Sequence, residues 1–136
     1  MTGFPGETAV EFAETVRFVD QQPFTYLHVF TYSERPGTLA AERGLPVPIP
    51  VRHELTRVLR EISERKNLEF RRQMVGRILP AVTLEQRGIA LTSNFLRVQT
   101  AERREPNRMV ELTIGAITQS GLREREILPV IRDGDR

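Results

Sequence analysis

At 136 residues, with 28% charged and 39% apolar side chains, the chain has room for one ordinary domain, or for a small domain joined to part of another. No run approaches the roughly eighteen apolar residues of a membrane span, and no basic stretch with an apolar core opens the chain as a secretory leader would; a cytoplasmic protein without a membrane partner is expected. The net charge of +2 excludes a polybasic footprint, and the absence of cysteine excludes disulfides, thiolate zinc sites, cysteine nucleophiles and iron–sulfur ligation together.

Thr8 followed by Glu11 has the pattern of a capping box, and Ala9, Phe12, Ala13, Val16 and Val19 recur at the spacing of one helical face, which predicts a helix over 8–21. Pro23 separates it from FTYLHVFTY, a run rich in aromatic and β-branched residues without clean alternation. Such texture predicts a strand covered on both faces, as in a parallel sheet. His28 inside it reads as a structural imidazole rather than a catalytic one. Residues 33–50 carry four of the nine prolines and predict an irregular loop. From Pro50 a second helix is expected to about Arg72, apolar at Val51, Leu55, Val58, Leu59 and Ile62.

After Gly76 the texture changes to short β-rich segments, ILPAVTLEQ, GIALT, FLRVQT, MVELTIGAIT and LREREILPV, separated by turn residues. Five such segments predict a small closed barrel. The chain therefore divides into an α/β part over 1–73, an all-β part over 74–131 and a tail at 132–136. The first part reads turn, helix, strand, loop, helix, a piece of a βα-barrel whose leading strand is absent and whose sheet edge and helix faces want partners.

The segments GFPGET, LHVFTYSERPGT, GRILPAVTLEQ and LTSNFLRV, in that order and spacing, resemble the radical-SAM methylthiotransferases over nearly the whole chain. The resemblance implies the last units of the radical-SAM barrel followed by an OB-like TRAM domain. It is greatest to the branch acting on threonylcarbamoyladenosine beside the tRNA anticodon; branches acting on isopentenyladenosine in tRNA or on a ribosomal protein are similar. Complete members use S-adenosylmethionine and two 4Fe–4S clusters held by cysteines, and none of those cysteines is in this sequence. The chain alone is therefore expected to be inactive. Its clusters would belong to further domains in a longer or a separate chain. The rival reading is a non-catalytic RNA-binding TRAM module. One segment departs from the family: GLREREIL stands where many members have a second glycine, which leaves the register of the last strand open.

The resemblance carries Gly3, Phe4, Pro5, Gly6 and Glu7 to the wall of the S-adenosylmethionine site, although taken alone they form an ordinary turn before a helix. Tyr32, Ser33 and Arg35 close the strand where barrel enzymes place functional groups, or else lie in a solvated loop. Alternation in NFLRVQT puts Phe95, Arg97 and Gln99 on one face, opposite Leu96 and Val98. An outward aromatic beside an arginine suits unpaired RNA, and equally suits docking against another domain. Arg71, Arg72 and Arg77 would add phosphate contacts, or form a solvated charged face. Nineteen of the twenty basic residues are Arg, a type suited to phosphate and also to a GC-rich genome.

Overall fold

The computed structural model describes residues 1–42 and 44–126, which separate into two compact units, Met1–Glu69 and a second beginning at Phe70. The expected tail at 132–136, and the end of the last expected strand from residue 127 on, lie outside the described residues.

In the first unit, α1 spans Ala9–Gln21. The Thr8 hydroxyl accepts from the Glu11 N–H while the Glu11 carboxylate accepts from the Thr8 N–H at 2.9 Å, so two orphan donors of the first turn are satisfied reciprocally, as the spacing predicts. Those bonds hold the Glu11 carboxyl below the usual range. The loop 33–50 contains one short helix, α2, at Leu39–Glu42. The long helix α3 runs Ile49–Arg72 with Pro50 in its first turn, where a missing N–H costs nothing.

The expected strand at 24–32 is corrected. These residues form no strand, and the ladder is reduced to one parallel bridge, Thr2 to Thr31, with Thr2 N–H donating to Phe30 O at 2.9 Å and Tyr32 N–H to Thr2 O at 2.8 Å. Only one face is covered. Leu27 and Val29 are half-buried, the Leu27 N–H donating to the Ser63 hydroxyl of α3, while Phe24, Tyr26, His28 and Phe30 are exposed. The residue types report β-propensity, but a ladder also needs neighbouring strands. His28 is thus a surface residue, stacked edge-on against Tyr26 at 4.9 Å.

The second unit is a closed barrel of five strands, β1 Ile78–Thr83, β2 Ile89–Thr92, β3 Arg97–Gln99, β4 Met109–Ile117 and β5 Leu122–Glu124. They pair in the order β1-β2-β3-β5-β4 and back to β1; β3 and β5 are parallel and every other pair is antiparallel. This is the arrangement of an OB-like barrel. Period-two alternation sends Ala81, Ala90, Val98, Leu112, Ile114 and Leu122 inward, where Met74 and Leu96 complete the core. β4 is long because its first half pairs with β1 and its second with β5, and a register shift between Ile114 and Ala116 bends it from one to the other. The register left open by GLREREIL resolves to Val98 opposite Leu122 and Gln99 opposite Arg123. Gly121 stands immediately before that strand, where a side chain would overlap the backbone carbonyl of Arg97.

Beside β5, Arg104 donates to both oxygens of Glu124, at 2.6 and 2.8 Å, and the Ala101 N–H donates to the same carboxylate at 2.8 Å. Burial pushes the Glu124 carboxyl up, but the guanidinium and the N–H outweigh it and hold the group below the usual range. A depressed folded-state value contributes stability above the ordinary Glu pKa of ~4.3 and loses it as pH falls through the depressed value. Glu124→Gln should therefore lower stability by on the order of 1 kcal/mol at pH 6. That gap should close toward pH 3 in thermal melts, and a gap independent of pH would refute the assignment.

Candidate functional site

In the first unit the segment 3–7 is a tight loop. The Glu7 N–H donates to Phe4 O at 2.9 Å, the Gly6 N–H to Leu45 O at 2.8 Å, and the Gly3 N–H to the Glu7 carboxylate. Gly3 takes φ +72° and a Cβ there would overlap the Arg52 side chain, so the close approach that its lack of a side chain permits is made by Arg52. Arg52 is buried. Its Nε donates to Val47 O at 2.6 Å, its Nη1 to Tyr32 O at 3.4 Å and its Nη2 to Glu34 at 2.7 Å, with the guanidinium 5.3 Å from the Tyr32 ring centroid. Phe4 packs edge-on against the same ring at 5.4 Å. Arg52 thus ties the glycine loop to the end of the segment 24–32. A lone arginine near a helix start carries no signal of burial in the sequence.

Tyr32, Ser33 and Arg35 do come together, lining a cavity of about 490 Å³ with Phe30 and Thr38. Gly3, Phe4, Pro5, Gly6 and Glu7 do not line it. The Tyr32 hydroxyl is itself buried and has no hydrogen-bond partner among the described residues. No thiolate is present to hold an iron–sulfur cluster, and among the described residues no group of three or more His, Cys, Asp or Glu could hold a metal ion. The residues of this chain do not fit a cluster.

The barrel presents a different surface. Arg97 and Gln99 point outward from β3, and Arg123 of β5 stands opposite Gln99. Arg97 Nη2 donates to the Gln86 side-chain oxygen of the β1–β2 loop, and Arg123 donates through Nε and Nη2 to the Gln99 side-chain oxygen at 3.3 Å. Neither arginine has a carboxylate partner among the described residues, whereas Arg52, Arg57, Arg65 and Arg104 all do. Amide oxygens orient these guanidinium groups without neutralising them. Arg123 was missed because the register of its strand could not be read from residue types.

Two expectations change here. Phe95 is not on the strand with Arg97; it lies in the β2–β3 turn at φ 63°, 83% exposed. The turn consumes the two residues that simple alternation assigned to strand, and Thr92 closes it by accepting the Leu96 N–H on its hydroxyl at 2.9 Å and the Phe95 N–H on its carbonyl at 3.0 Å. Arg71 is buried, and its Nη1 donates to Thr118 O at 2.7 Å and Gly121 O at 3.3 Å, which commits it to the β4–β5 turn and removes it from any phosphate contact. Arg72 and Arg77 are exposed. The structural boundary also redistributes charge: residues 1–69 hold eight basic and ten acidic side chains, net −2, and residues 70–126 ten Arg against six Glu, net +4. A second cavity of about 670 Å³ lies between the β1–β2 and β3–β4 loops, lined by both signs of charge at Glu85, Arg87, Arg103 and Glu105.

No protein-family model matches the chain. Among curated proteins it is 32% identical over 114 residues, 84% of its length, to threonylcarbamoyladenosine tRNA methylthiotransferase MtaB of Aquifex aeolicus, covering 28% of that protein. It is 36% identical over 133 residues, 96% of its length, to the tRNA-2-methylthio-N(6)-dimethylallyladenosine synthase of Mycobacterium leprae, covering 25% of it. A synthase of the same name from Wolbachia pipientis is 38% identical over 88 residues, 65% of this chain and 20% of the relative. The chain thus spans less than a third of the length of these relatives.

Proposed function

The chain belongs to the tRNA methylthiotransferase family, and from that premise we propose that its barrel is a TRAM domain that holds tRNA while the first unit is the end of a radical-SAM barrel. The observation that carries the RNA reading is the pair Arg97 and Arg123, both oriented by glutamine oxygens on the outward β3–β5 face and both without carboxylate partners among the described residues. Guanidinium groups so disposed keep their charge for phosphate. The net charge of +4 over residues 70–126 favours the same ligand, and in OB-like barrels the β2–β3 face with the β1–β2 and β4–β5 loops is the usual nucleic-acid surface.

In the first unit, the parallel pairing of Thr2 with Thr31 across helix α1 supports the barrel-end reading. The cavity at Tyr32, Ser33 and Arg35 has the size of a small-ligand site, with Arg35 as its cation beside Phe30, Ser33 and Thr38. Its ligand in this proposal is S-adenosylmethionine, with Arg35 facing the carboxylate and the loop 3–7 forming an adjoining wall; bound there it would supply the radical precursor. Calorimetric titration of the cofactor against wild type and Arg35→Ala tests this without reference to turnover. Heat of binding that Arg35→Ala leaves unchanged would remove Arg35 from the site.

The threonylcarbamoyladenosine branch is the preferred assignment, resting on LHVFTYSERPGT and LTSNFLRV, with tRNA near the anticodon as partner in a cytoplasmic setting. Catalysis would need the cluster cysteines of further domains, and anaerobic reconstitution of this chain with iron and sulfide should give no cluster absorbance. The RNA reading is tested by filter binding of the chain to tRNA at two salt concentrations. Arg97→Ala and Arg123→Ala should each flatten the slope of log affinity against log salt by about 1 and weaken binding to all tRNAs alike. A double variant that binds as the wild type does would sink the assignment of this face.

A further inference from the structure

Phe95 carries an unfavourable backbone and an unfavourable exposure at once. Among the described residues positive φ is otherwise taken by six glycines and by Asn107, residues that enter the left-handed region at little cost. A phenylalanine there brings its Cβ against the neighbouring carbonyl, and for a bulky side chain the conformation is a true outlier. The ring contributes nothing to the core in return, being 83% exposed, while Leu96 fills the barrel and Thr92 supplies the hydrogen bonds that close the turn. Glycine or asparagine would make the same turn with less strain. The ring is therefore displayed rather than packed, two residues before Arg97, which has no carboxylate partner among the described residues.

On these grounds, and resting on the RNA reading above, we propose that Phe95 is a stacking platform for an unpaired base, which makes the barrel select single-stranded loop nucleotides over duplex RNA. Phosphates of paired and unpaired RNA are equally open to Arg97 and Arg123, so those arginines cannot discriminate between the two. A ring can, because in a duplex both faces of each base are already occupied by neighbours, whereas a splayed base offers a free face. The strain at position 95 is the stability given up for that display.

The test is fluorescence anisotropy of the full chain with an RNA hairpin bearing a single-stranded loop, and with the same stem closed as a blunt duplex. Wild type should prefer the hairpin. Phe95→Asn should raise the melting temperature by several degrees, lower hairpin affinity about tenfold and leave duplex affinity unchanged. Phe95→Tyr should keep the hairpin preference. Equal wild-type affinity for hairpin and duplex overturns the proposal while leaving the RNA reading intact. A raised melting temperature with unchanged hairpin affinity overturns it in favour of a protein surface covering the ring. Absence of binding to either RNA overturns both.

Discussion

Leu112→Ala should destabilise the barrel by about 2–5 kcal/mol, a large part of the ~5–15 kcal/mol that holds an ordinary domain together. Leu112 is fully buried at the middle of β4, paired across the ladder with Leu79 of β1. β4 is the strand that both β1 and β5 need to close the cylinder. Truncation leaves a cavity that a closed ladder cannot collapse to fill, because moving one strand inward would break bonds to both neighbours. Urea denaturation followed by far-ultraviolet circular dichroism reads the loss as a shifted midpoint at unchanged slope. Leu112→Met, of similar volume, should lose under about 1.5 kcal/mol. A loss below about 1 kcal/mol for the alanine variant would mean that Leu112 does not sit in a packed core.

The second large effect is expected in the first unit. Arg52→Ala should cost roughly 2–5 kcal/mol, because it strips hydrogen bonds from Val47 O and Tyr32 O, ends the ion pair with Glu34 and removes the cation over the Tyr32 ring. Most of that loss is the cost of buried carbonyls left without donors, since Glu34 is half exposed and returns to water. Arg52→Lys should rescue little, as a single ammonium cannot reach three acceptors set out for a fork. Gly3→Ala should also destabilise, through its positive φ and its overlap with Arg52. The two changes should be less than additive, because removing the arginine removes the overlap. Strict additivity in a double-mutant cycle would show that Gly3 and Arg52 do not share this contact.

Much of the local structure was legible. The capping box at Thr8 and Glu11 is a matter of neighbouring residues satisfying one another's donors, so spacing alone predicts it. The five barrel strands follow from alternation and turn residues, both short-range properties. The segment 24–32 was misread for the complementary reason: its aromatic and β-branched residues favour a strand, but pairing depends on neighbouring strands that the segment itself does not specify, and the structure shows a single bridge. Phe95 was misread by a two-residue error at a turn, enough to move it off the strand face.

The sequence by itself determined the limits of the two long helices, the β-rich half, the lack of thiolate ligands and the family resemblance, all of which depend on residue type and near spacing. Only the tertiary structure decided which arginines are available. Arg71 is drawn inward by the carbonyls of Thr118 and Gly121, and Arg52 by those of Val47 and Tyr32. Arg97 and Arg123 are left without a carboxylate among the described residues because the parallel pairing of β3 with β5 sets glutamine beside Arg123, while the β1–β2 loop does the same for Arg97. A guanidinium's fate depends on the acceptors that folding brings to it from far along the chain, and no local pattern encodes those.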